Sequence, residues 1–134
     1  MIARDMKILV PTAGFPPALQ TAYYIVRIAH SLRADLVVLH VYSGNSPSPD
    51  ARAAFDVFIE AGQKVGVGVH SRVQRGDVID SITSIAGTGE YALIVMGASN
   101  DTEVDKWISA RLLNSTRLPV VVIPHAFEKK GNQS

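Results

Sequence analysis

Apolar residues along the chain fall into two alternating patterns: short continuous runs, and longer stretches with helical spacing. Met6–Thr12 (MKILVPT) is an apolar run closed by proline and reads as a buried strand. From Pro16 to Arg33, Ala18, Ala22, Ile25, Ala29 and Leu32 recur at steps of four and three, one face of a helix. Pro16 and Pro17 suit its first turn, where a missing N–H costs nothing. Asp35–Tyr42 (DLVVLHVY) is a second buried strand, followed by the turn-rich SGNSPSPD, expected to be an exposed, mobile loop. A second helix is predicted from Asp50 to Lys64, with Ala51, Phe55, Phe58 and Val65 inward. Val67–Gln74 alternates more, as a less buried strand does. GDVIDSITSIAG predicts a short helix capped by Asp77 and ended by Gly87 or Gly89. YALIVMGA is a fourth strand, Glu103–Thr116 a fourth helix and Pro119–Pro124 (PVVVIP) a fifth strand.

Strand–helix alternation of this kind predicts an α/β protein, a doubly wound five-stranded parallel sheet with helices on both faces. Continuous apolar runs, rather than strict alternation, mean strands covered on both sides. Right-handed crossovers leave few strand orders, chiefly 3-2-1-4-5 and 2-1-3-4-5. In the first, the sheet reverses between strands 1 and 4, and ligands of such sheets sit beyond the carboxyl ends of the strands at that reversal. There the turns Thr12–Pro16 and Gly97–Asp101 would face each other.

Composition narrows the classes. A length of 134 residues suits one domain, 1–134, with the polar tail 126–134 expected to fray. A net charge of +1, with no basic run interleaved with aromatics, argues against a nucleic-acid partner. The absence of cysteine excludes disulfides, thiol catalysis and thiolate metal sites. MIARDMKILVP is too short and charged for a signal peptide, and no apolar run has the roughly 20 residues that span a bilayer, so no membrane is expected and a cytoplasmic location is. Asn100-Asp101-Thr102 and Asn114-Ser115-Thr116 then match the glycosylation pattern by chance.

Candidate chemistry is sparse. His30, His40, His70 and His125 have no metal-ligand spacing, and His40 reads as a satisfied structural histidine within a strand. GVGVH leads into a strand, not a helix, so it is no dinucleotide fingerprint. No nucleophile elbow or Walker-type loop occurs. Asp77 and Asp80 read as a cap and a surface acid. The exception is LIVMGASNDTEVDKW (93–107), where a buried strand runs through Gly97 into small and polar residues ahead of a helix, as ligand-binding turns do.

KILVPTAG, LVVLHVY, GDVIDSITSIA, YALIVMGAS and LPVVVIP together, in this order over nearly the whole chain, resemble the universal stress protein family. The resemblance implies a Rossmann-like sheet of the adenine nucleotide alpha hydrolase type, order 3-2-1-4-5, usually in a homodimer. Some members of the family bind ATP and others do not.

Its nucleotide-binding members carry an Asp after strand 1, in a context like V-P-x-D-G-S. Here the frame reads Val10-Pro11-Thr12-Ala13-Gly14-Phe15. Ala13 stands in place of the Asp, and a methyl group accepts no hydrogen bond from a ribose or an adenine amino group. They also carry G-x2-G-x9-G-[ST] after strand 4. Counted from Gly97, the second glycine falls on Asn100, and Ala110 and Arg111 stand at the end of the pattern. Aligned back from Pro119, Lys106 and Trp107 stand there instead, which puts Ile108, Leu112 and Leu113 on apolar sites and implies a loop about four residues shorter than the family pattern. Under either alignment three of the four positions depart from the pattern. A glycine-rich loop works because missing side chains let backbone amides approach phosphate oxygens. Asn100 is the mildest change, since Asn tolerates a left-handed turn. Asp101, Glu103 and Asp105 add carboxylates, which suit the first turn of a helix better than a triphosphate.

The candidate remnant nucleotide site is therefore Pro11, Thr12, Ala13, Val41, Met96, Gly97, Asn100, Lys106 and Trp107. No cofactor and no catalytic residue is expected. The alternative is ATP or AMP on a shortened loop, with Mg only for a triphosphate. An unrelated flavodoxin-like or Rossmann-like enzyme is the third reading, against which stand the missing catalytic constellation and the resemblance. The uncharged edge strand Val120–Ile123 predicts a homodimer, and a stress-response module also implies protein partners that the sequence does not name.

Overall fold

The computed structural model describes residues 6–12, 15–98 and 108–124. Its elements run β1 (Lys7–Pro11), α1 (Phe15–Leu32), β2 (Asp35–Tyr42), α2 (Asp50–Val65), β3 (Val69–Arg75), α3 (Val78–Ala86), β4 (Leu93–Gly97), α4 (Ile108–Leu112) and β5 (Val120–Ile123). The five strands form one sheet in the order β3-β2-β1-β4-β5, with every pair parallel. This is the expected order.

Alternate residues of each strand serve opposite faces. Ile8, Val10, Leu36, Val38, Val95 and Ile123 pack with α1 and α2. Leu9, Val37, Leu39, Ile94 and Met96 pack with α3 and α4. Both faces of β1, β2 and β4 are thus covered, which is why their sequences are continuously apolar. The two edges differ. β3 is largely exposed and carries His70, Arg72 and Arg75, charged or polar groups that discourage further pairing. β5 carries none.

Two expected inward residues face out. Leu32 and Val65 are each 42% exposed. The reason is how α1 and α2 end. Each passes through a left-handed residue, Arg33 (φ 56°) and Gly66 (φ 79°), and the next residue folds back. Ala34 N–H donates to the Ala29 carbonyl and Val67 N–H to the Gly62 carbonyl, both at 2.9 Å, the six-to-one bond of a Schellman ending. Ala34 and Val67 are buried and close the apolar stripe that Leu32 and Val65 would otherwise extend. Leu113, placed on an apolar site by sequence, is 65% exposed, because α4 ends at Leu112 and the next residue leaves that face.

Gly66 adopts its left-handed angle without penalty, whereas Arg33 carries a Cβ there. Arg33→Gly should therefore raise stability by about 0.5–1 kcal/mol, read as a higher urea midpoint at unchanged slope. Asp77 caps α3 as expected, its Oδ2 accepting from Asp80 N–H at 3.0 Å. Asp77→Ala should cost about 1 kcal/mol in the same measurement.

Candidate functional site

The sheet reverses between β1 and β4. β1 hands the chain to α1 on one face, while α3 and α4 lie on the other. The carboxyl ends of β1, β4 and β2 therefore open a crevice that no helix closes by connection. Pairing of Leu9 with Ile94 brings Pro11 level with Met96 and Thr12 level with Gly97. Pairing of Pro11 with Leu39 sets Thr12 level with His40. Gly97, Thr12 and His40 thus form one row on the α1–α2 face. Pro11, Met96 and Val41 belong to the other face, where Met96 and Val41 pack with α3 and α4.

The structure brings Pro11, Thr12, Met96 and Gly97 together, with Val41 at the neighbouring strand end. Ala13, Asn100, Lys106 and Trp107 lie outside the described residues. Two amides at the mouth of the crevice are engaged within the sheet. Thr12 N–H donates to the Leu39 carbonyl at 2.9 Å, and Ala98 N–H to the Ile123 carbonyl at 2.8 Å. They extend the ladders rather than point at an anion. Gly97 also has a packing reason to be glycine: a Cβ there would stand 3.0 Å from Thr21 Cγ2 on α1. A close helix–strand approach therefore favours glycine at 97 without any phosphate.

His40 departs from the reading of a satisfied structural histidine. It is 6% exposed, and its Nε2 accepts from Ser48 N–H at 3.3 Å. In the neutral ring the proton then sits on Nδ1, which is buried and has no partner among the described residues. A buried donor left unpaired costs about 1–3 kcal/mol. No sequence signal announced the bond to Ser48, since it joins a strand to a loop residue with no helical or strand periodicity between them.

Pro11 and Val41 are half-buried at the strand ends, while Met96 is 8% exposed and packs with α3 and α4. None of Pro11, Thr12, Val41, Met96 and Gly97 carries charge. Among the described residues no group of three or more His, Cys, Asp or Glu could hold a metal ion. No described helix is long and apolar enough to cross a membrane.

No curated protein matches the sequence. Solved structures do match the fold. A universal stress protein in complex with cAMP superposes with TM-score 0.75 at 16% identity, over 91% of this chain and 98% of its own. The universal stress protein of Archaeoglobus fulgidus in complex with dAMP gives 0.70 at 16%, over 88% and 97%. A family protein of Arabidopsis thaliana with AMP bound gives 0.65 at 20%, over 89% and 91%. The profile of the universal stress protein family matches residues 6–124, from the start of the sheet to the end of β5. The chain belongs to the universal stress protein family.

Proposed function

We propose that the protein is a cytoplasmic stress-response module that acts by binding, not catalysis, as a homodimer, and that its nucleotide site is degenerate. The observation that carries the degenerate site is Ala13 in place of the family's Asp, with the phosphate-loop glycines replaced by other residues. The engaged amides of Thr12 and Ala98 support the same reading. The dimer forms through Val120–Ile123, and unidentified protein partners read the assembled surface. An apolar groove of about 670 Å³, lined by Tyr24, Ile28, Leu32, Ile123 and Pro124 among others, adjoins this edge and supports an interface there.

A second reading is an adenine-nucleotide regulator that takes a monophosphate. Two observations favour it: Pro11, Thr12, Met96 and Gly97 meet at one strand edge, and structural neighbours hold cAMP, dAMP and AMP. A monophosphate asks little of a phosphate loop. Parallel calorimetric titrations with AMP and with ATP plus Mg²⁺ separate the readings. Silence in both supports the degenerate module, heat with AMP alone supports the monophosphate regulator, and micromolar ATP defeats both.

A further inference from the structure

We propose that His40 is a positioning residue that holds the β2–α2 loop, residues 43–49, as a fixed rim over the crevice. The inference rests on the second reading above, in which the crevice takes a monophosphate. The loop is exposed throughout, yet its return into α2 is pinned at one residue. Ser48 N–H donates to His40 Nε2 at 3.3 Å, the Ser48 carbonyl accepts from Ala51 N–H at 3.0 Å, and its hydroxyl accepts from Asp50 N–H at 3.2 Å. Ser48 sits between Pro47 and Pro49, which have no N–H and fixed φ. Its amide is the one donor in that stiff tripeptide, and the buried imidazole is its acceptor. Among the described residues Nδ1 has no partner, and there the Ser48 amide selects the tautomer.

The geometry links this anchor to the site. His40 precedes Val41, and the two side chains leave β2 on opposite faces. His40 reaches under the loop while Val41 lies at the crevice. Only Tyr42 separates Val41 from the loop. If the Ser48 bond is lost, the loop is free to swing, while Val41 stays paired with Gln74 of β3. His40 thus acts on the ligand through Ser48 and the loop it holds, without touching it.

Four variants and three readouts test this. In His40→Gln the side-chain oxygen can reach the place of Nε2, whereas in His40→Asn and His40→Phe nothing accepts from Ser48. Ser48→Ala keeps the amide and removes only the hydroxyl that serves α2. Hydrogen exchange of the Ser48 amide should be slow in the unmodified protein, His40→Gln and Ser48→Ala, and about tenfold faster in His40→Asn and His40→Phe. AMP affinity, by ligand-observed NMR, should follow the same division, weakening about fivefold in the Asn and Phe variants. Ring ¹⁵N shifts of His40 should report the Nδ1–H tautomer. Rapid Ser48 exchange in the unmodified protein would overturn the anchor itself. Faster exchange with unchanged AMP affinity would reduce it to a structural bond. Slow Ser48 exchange with no AMP binding by the unmodified protein would remove the nucleotide reading and with it the positioning role, while leaving the bond intact.

Discussion

Val121→Asp is expected to turn a dimer into a folded monomer. β5 lies at an edge of the sheet, beside β4 alone. Its outer N–H and C=O groups have no strand partner among the described residues. A twofold-related β5 would pair them in an isologous interface. Val121 is 37% exposed in the single chain, so a carboxylate there stays solvated in the monomer and the fold tolerates it. In the dimer the same carboxylate would be buried among valines without a partner, a cost of several kcal/mol. Because about 1.4 kcal/mol is tenfold in affinity, association should weaken at least about 100-fold. The contrast with β3 sharpens the expectation: that edge carries His70, Arg72 and Arg75, and should stay unpaired. Sedimentation at micromolar concentration decides. A clean monomer for the unmodified protein, or an unchanged dimer for a folded Val121→Asp variant, would sink this interface and point to another element covering β5.

ATP is expected to bind no more tightly than about millimolar, a binding free energy of about 4 kcal/mol or less. Three losses in the sequence combine: the Asp position at Ala13, and the glycine positions at Asn100 and Lys106. The structure adds that the Thr12 and Ala98 amides already serve the sheet. What remains at the strand ends is Pro11, Thr12, Val41 and Gly97, half-buried and uncharged, which offer three phosphates no cation. Ala13→Asp alone should therefore leave ATP affinity in the millimolar range, because it returns a ribose contact and no phosphate loop. Micromolar binding by calorimetry, or nucleotide carried through purification, would show that the shortened loop works by another geometry.

The fold was legible because its signals are local and repeated. Ala18, Ala22, Ile25 and Ala29 mark one helix face, LVVLH marks a strand buried on both sides, and Asp77 marks a cap; each depends only on neighbours in the chain. The strand order followed from handedness and the family resemblance. The departures from the family pattern at Ala13, Asn100 and Lys106 are likewise read from residue identity alone. Tertiary structure alone decided the remainder. Whether Leu32 and Val65 face inward depended on a left-handed turn at Arg33 and Gly66 that brings Ala34 and Val67 into the core instead. Gly97 looked like the start of a phosphate loop, but the approach of Thr21 on α1 also favours glycine there. His40 looked satisfied, yet one ring nitrogen holds Ser48 while the other has no partner among the described residues. In each case the deciding neighbour lies on another element or past a turn, and hydrophobic periodicity carries no information about where such a neighbour comes to rest.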